Sequence, residues 1–163
     1  MKAHELMTAK PACCTPESTA YDAARLMAEC DCGLIPVVEN AESMRLVGVV
    51  TDRDLALRGF AEGKGADAKV RDLMTRNVSC CSPDDDLKRV EEVMADNQVR
   101  RVPIVDAAGC CVGIIAQADL ARATSQNAGV SDREIARVVE QISEPPRETG
   151  AGATPERQPD VRF

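Results

Sequence analysis

The sequence predicts an α/β (α+β) fold built from two β-α-β-β-α units packed as a pseudo-two-fold pair. Three observations carry this. The stretch LMTAKPACCTPESTAYDAARLMAECDCGLIPVVE (Leu6–Glu39) returns 67 residues later, without a gap, as LMTRNVSCCSPDDDLKRVEEVMADNQVRRVPIVD (Leu73–Asp106). After the next loop the offset falls to 65, and LVGVVTDRDLA (Leu46–Ala56) maps onto CVGIIAQADLA (Cys111–Ala121). Each copy carries one helical pattern followed by two short β-branched runs. A repeat sets the architecture before any single residue does. Two copies occupy most of the 163 residues, which leaves little room for a separate catalytic domain.

The first repeat is assigned to residues 1–59. It opens with a short segment, Ala3–Thr8, and Pro11–Thr15 is apolar enough to read as a strand. Pro16, Glu17, Ser18 and Thr19 supply turn and N-cap chemistry. The spacing then predicts a helix to about Cys30 with Ala20, Ala23, Ala24 and Met27 on one face. Leu34–Val38 and Leu46–Thr51 are β-branched runs that predict strands, with Glu39–Arg45 a polar loop between them. Asp52–Arg58 predicts a second helix, stopped by Gly59. A glycine-marked linker follows at 60–69.

The second repeat, 70–124, has the same order. A helix over about Asp86–Asp96 carries Leu87, Val90, Val93 and Met94. Strands at Arg101–Val105 and Cys111–Ala116 are joined by a tight Asp106–Gly109 turn, and helix resumes near Gln117. Residues 125–144 predict a C-terminal helix, with a Ser131/Glu134 capping box. Ile135, Val138, Val139 and Ile142 form its apolar stripe, suited to packing on the module or pairing with a second subunit. The tail, 145–163, is rich in Pro, Gly and charge and reads as disordered.

Composition excludes several function classes. Aromatic residues are 2% of the chain and Trp is absent, so stacking platforms for single-stranded nucleic acid are lacking. A net charge of −7 argues against a general phosphate-backbone binder, although not against a local basic pocket. No apolar run approaches the roughly 20 residues that span a bilayer. The N-terminus lacks the apolar core of an export signal. The expectation is a cytoplasmic protein with free thiols and no nucleic-acid or membrane partner.

The repeated pieces are specific in combination. They are LMT…TPEST…LMAE…GLIPVVE…LVGVVTDRDL and LMT…SPDDD…VMAD…VRRVPIVD…CVGIIAQADL. They resemble the cystathionine-β-synthase (CBS) domain, and the tandem resembles one Bateman module over roughly Ala3–Thr124. No dinucleotide fingerprint, Walker loop, HExxH or nucleophile elbow is present. The resemblance implies a non-catalytic sensing unit with two pseudo-symmetric clefts between the repeats. Their implied ligand is AMP, ADP or ATP, with S-adenosylmethionine or NAD as alternatives. The family's usual assembly of two modules into a flat disc implies a homodimer, and a separate target protein is compatible with it.

The local chemistry agrees. Thr51 and Asp54 flank a helix start, whose free N–H groups favour phosphate. The Thr51 hydroxyl can reach phosphate, Arg53 can add charge, and the Asp54 carboxylate can accept both ribose hydroxyls. The same pair also suits plain helix capping. Strand residues Ile35, Pro36 and Pro103 could sandwich adenine. Backbone groups at Pro11, Ala12 and Cys13, or at Val78, Ser79 and Cys80, could read its edge. In repeat 2, Thr51-Asp52-Arg53-Asp54 becomes Ala116-Gln117-Ala118-Asp119. Asp119 keeps the carboxylate, but Gln117 and its neighbours lose the hydroxyl and the arginine. The two clefts are therefore expected to be unequal, with the Asp54 cleft the better phosphate binder. Arg100 and Arg101 precede Pro103 where repeat 1 has Gly33 and Leu34. Adjacent strand residues face opposite ways, so at most one arginine should face a given cleft.

Eight cysteines fall as Cys13-Cys14, Cys30/Cys32, Cys80-Cys81 and Cys110-Cys111. Neighbouring thiols on a strand point apart, which disfavours a shared metal ion. One Cys of each pair is expected to fill the core as a small hydrophobe. Cys32 and Cys110 are the expected exposed partners. The competing reading is a redox- or metal-responsive interaction protein that uses these Cys pairs and leaves its nucleotide clefts vacant.

Overall fold

The computed structural model describes residues 1–126, 136 and 140. The capping box at Ser131, the apolar stripe from Ile135 to Ile142 and the tail lie outside the described residues.

The elements follow the repeat. A short helix α1 (Ala3–Leu6) leads into the two-residue strand β1 (Thr8–Ala9). Helix α2 (Ala20–Glu29) precedes the hairpin β2 (Leu34–Val38) and β3 (Leu46–Thr51). Helix α3 (Asp52–Asp54) continues as a π-helical turn over Leu55–Phe60. A 3-10 turn, Val70–Asp72, opens repeat 2. Helix α4 (Leu87–Asn97), the hairpin β4 (Arg101–Val105) and β5 (Cys111–Ala116), and helix α5 (Gln117–Gln126) complete it.

Capping chemistry explains where the long helices begin. The Thr19 hydroxyl accepts from Asp22 N at 3.1 Å, and Asp22 Oδ2 accepts from Thr19 N at 2.9 Å. Asp86 caps α4 by accepting from Arg89 N at 2.9 Å. Each side chain satisfies a backbone donor that the first turn leaves free.

Three sequence expectations need correction. Pro11–Thr15 is not a strand: only Cys14 bridges β2, donating to Pro36 O at 3.1 Å and accepting from Val38 N at 2.9 Å. Lys10 at φ 50 turns the chain on one side, and Pro16 cannot donate to a ladder on the other. The second helix of repeat 1 does not stop at Gly59. It widens into a π turn to Phe60, with Gly59 buried against Leu73. Ala24 is exposed; the buried positions of α2 are Ala23 and Met27, with Ala20 and Leu26 partly buried beside them.

The lead-in segments exchange. β1 of repeat 1 pairs antiparallel with β5 of repeat 2, with Thr8 opposite Ile114 and Ala9 opposite Gly113. The reciprocal contact joins Thr75 of repeat 2 to Val49 in β3, through hydrogen bonds of 2.8 and 3.0 Å. The sheets are therefore a three-stranded β1-β5-β4 and a two-stranded β2-β3. The packing follows the same exchange. Ala3 enters the core of repeat 2, among Val90, Met94, Val102, Ile104 and Ile115. Val70, Leu73 and Met74 enter that of repeat 1, among Ala23, Ile35, Val37 and Val50. Each core is completed by the other repeat's lead-in.

Two equivalent glycines permit this. A Cβ on Gly113 would lie 2.3 Å from Met7 Sδ, and one on Gly48 would lie 2.7 Å from Thr75 O. The Met-Thr of each lead-in thus crosses the Val-Gly of the other repeat's last strand at van der Waals contact.

Candidate functional site

The exchange opens a cavity of about 430 Å³ between the repeats. Repeat 1 supplies Pro11 and Ala12 from the lead-in, Asp31 and Cys32 from the end of α2, and Leu34 and Ile35 from β2. Repeat 2 supplies Arg101 from β4, Ile114 and Ala116 from β5, and Asp119 from α5. Thr8, Lys10 and Cys30 complete the lining. Lys10 and Asp31 reach it from left-handed backbone, at φ 50 and 48, a conformation few non-glycine residues adopt. Their equivalents, Asn77 and Gln98, share it at φ 56 and 53, so the kinks belong to the repeated scaffold.

The polar groups are few and spread around an apolar wall. Arg101 and Lys10 are the cations. Asp119, with a side chain 15% exposed, accepts from Ala116 N at 2.8 Å and pairs with the outward Arg122 at 2.5 Å. Its carboxylate thereby caps α5 at the cavity edge. Cys32 donates to Leu34 O at 3.5 Å, and burial pushes its thiol pKa up, so it sits there as a neutral group. The set can hold a flat, partly apolar molecule with hydroxyls near carboxylate and an anionic end near the cations.

Among the residues expected from sequence, this cavity gathers Pro11, Ala12, Ile35, Arg101 and Asp119. Arg100 is exposed and does not line it, as the opposite facing of strand neighbours requires. Val78 and Cys80 line a second cavity, about 290 Å³, with Leu46, Gly48 and Asn77. The remaining candidates line neither. Thr51 and Asp54 form a closed capping box. Asp54 Oδ2 accepts from Thr51 N at 3.0 Å and from Thr51 Oγ1 at 2.8 Å, while Asp54 N donates to Thr51 Oγ1 at 3.0 Å. The other Asp54 oxygen lies 3.4 Å from Arg58, which also donates to Leu73 O at 2.9 Å. Arg53 is exposed, and its backbone N donates to Asp52 Oδ1. Pro36 and Pro103 are buried in their strands, where their carbonyls accept from Cys14 N and Cys81 N. Ser79 donates to Asn97 Oδ1 at 2.7 Å. Gln117 N donates to Arg100 O at 2.9 Å, starting α5.

Among the lining residues that sequence reasoning missed are Lys10, Asp31, Leu34 and Ile114. Leu34 could have been found, because it stands at the repeat equivalent of Arg101. Lys10 and Asp31 carry no motif; backbone kinks bring them in.

The cysteines divide by burial. Cys14, Cys81 and Cys111 are buried, and burial pushes the Cys14 and Cys81 thiols up to about 11. The exposed thiol is Cys30, not Cys32 or Cys110, both of which are half-buried. Cys110 Sγ donates to Ser43 O at 3.0 Å, which ties the two hairpins together. Among the described residues no three His, Cys, Asp or Glu side chains come together as a metal set. No described helix is long and apolar enough to cross a membrane.

Comparison with known proteins places the fold. The CBS domain family matches residues 3–58 and 70–126, and the chain belongs to that family. It is 39% identical to the CBS domain-containing protein YhcV of Bacillus subtilis over 72% of this chain and 81% of that protein. Among solved structures, Hypoxic Response Protein I with two coordinated zinc ions superimposes with a TM-score of 0.68 at 32% identity, covering 75% of this chain and 98% of that one. CBSX2 in complex with AMP superimposes equally well, TM-score 0.68 at 29% identity, covering 77% and 96%.

Proposed function

We propose that this chain is a non-catalytic regulatory module that binds an adenosine phosphate in the 430 Å³ cavity and signals through a change of conformation or partner. The observation that carries the reading is the meeting of Arg101 and Lys10 with Asp119 across one apolar cleft built by both repeats. In this pose, the ribose hydroxyls face Asp119, the phosphate faces Arg101 and Lys10, and the adenine lies against Leu34, Ile35 and Ile114. The AMP held by CBSX2 supports the ligand class. The sequence favoured the Asp54 cleft. We place the stronger binding at Asp119, because it lines the cross-repeat cavity with Arg101 and Lys10, whereas Thr51 and Asp54 line neither cavity described. A ligand that bridges both repeats shifts the module only by its differential affinity for the two arrangements. Calorimetric titration with AMP, ADP, ATP, S-adenosylmethionine and NAD tests this. Saturable binding of an adenosine phosphate is expected, and silence from all five contradicts it.

The working assembly is a cytoplasmic homodimer. Its supporting observation is the exposure of three large apolar side chains, Tyr21 on α2 and Leu57 and Phe60 on the π turn, at 57%, 49% and 86%.

A further inference from the structure

The charges around the 430 Å³ cavity are balanced in number but not in pairing. Arg101 on β4 and Lys10 in the lead-in are its cations, and Asp31 and Asp119 are its carboxylates. Asp119 is already engaged, by Ala116 N at 2.8 Å and by Arg122 at 2.5 Å. Lys10, Asp31 and Arg101 have no salt-bridge partner among the described residues. Arg101 is half-buried, whereas Lys10 and Asp31 are exposed and stand at the rim.

We propose that Asp31 limits this cavity to one phosphate, so that it takes the adenosine monophosphate in preference to the di- and triphosphate. This selectivity rests on the adenosine-phosphate reading of the same cavity. Two unpaired cations match a single phosphate group, whose charge is about −1.5 to −2 at pH 7. With the ribose at Asp119 and the first phosphate between Arg101 and Lys10, no third cation lines the cavity to meet another phosphate. Further phosphates extend towards the rim, where the Asp31 carboxylate repels them. A space of 430 Å³ is about 9 Å across, within the Debye length of about 10 Å at 0.1 M salt, so Asp31 is only partly screened from a ligand inside it. Two added phosphate charges about 8 Å from one carboxylate weaken binding roughly fivefold even at the dielectric constant of water.

A purely structural role does not account for the carboxylate. Asp31 follows the α2 C-cap in left-handed backbone at φ 48, which Asn and Asp tolerate better than most residues. Asn would serve that turn equally. The repeat equivalent, Gln98, holds the same conformation at φ 53 without a charge. Lys10 likewise corresponds to the uncharged Asn77. The scaffold needs the two kinks but not the two charges, and both charges stand at the rim of this one cavity.

Calorimetric titration of the full chain with AMP, ADP and ATP in magnesium-free buffer, wild type against Asp31→Asn, tests the proposal. Wild type should bind AMP about fivefold or more tighter than ATP, with ADP between them. Asp31→Asn should strengthen ATP binding about fivefold and AMP binding no more than about twofold. Misfolding cannot produce such a gain. ATP bound as tightly as AMP by the wild type, or an unchanged ratio in Asp31→Asn, would overturn the selectivity and leave the adenosine-phosphate reading standing. Silence from all three nucleotides would overturn both. S-adenosylmethionine bound more tightly than AMP, and weakened by Asp31→Asn, would also overturn the selectivity, because Asp31 would then hold a ligand cation.

Discussion

Single residues decide more here by what they leave out than by what they add. Gly48 and Gly113 have no side chain because the opposite lead-in occupies that space. At Gly48 the obstacle is the Thr75 carbonyl, which cannot turn aside. Gly48→Ala should therefore cost on the order of 1–3 kcal/mol, read as a lower urea midpoint. Gly113→Ala meets the flexible Met7 side chain and should cost less. The buried thiols give a pH signature. Burial pushes the Cys14 and Cys81 thiols up to about 11 in the fold, above the ordinary thiol value. Their neutral forms stabilise the protein fully below pH 9, and this contribution is lost as pH rises towards 11. Urea midpoints of the reduced protein should fall over that window, and Cys14→Ala should flatten the fall even though its neutral-pH stability is lower. The residue-level reading of the site was partly legible. Asp119 and Arg101 stood out because they broke the repeat or survived within it. Thr51 and Asp54 were legible as a pair, but spacing alone could not separate capping from ligand contact.

Elements were the most legible level. Both hairpins, the turn at Asp106–Gly109 and helices α2 and α4 match their patterns, because alternation and caps are local properties. Thr19→Ala should cost about 1 kcal/mol by removing the α2 cap, measured by thermal or urea unfolding. The misread elements have non-local causes. Pro11–Thr15 has strand composition but meets β2 at Cys14 alone. The π turn passes Gly59 because Leu73 of the second repeat covers it, and Arg58 anchors the turn to Leu73 O.

At the scale of the molecule, the repeat announced two equivalent units but not their exchange. An offset of 67 residues is the same whether a lead-in pairs with its own last strand or with its neighbour's. That ambiguity matters, because exchange puts Asp119 opposite Pro11 and Leu34 of the other repeat, and so makes the cavity a joint property of both. With the exposed Phe60 at the dimer contact, Phe60→Glu should convert a dimer to a monomer in light scattering while leaving the circular dichroism spectrum intact. The central claim, that an adenosine phosphate occupies the cross-repeat cavity, is tested most directly by calorimetric titration of AMP into wild type, Asp119→Ala and Asp54→Ala. At least a tenfold loss of affinity, about 1.4 kcal/mol, is expected for Asp119→Ala, with a smaller change for Asp54→Ala. Unchanged affinity in Asp119→Ala together with loss in Asp54→Ala would contradict the account.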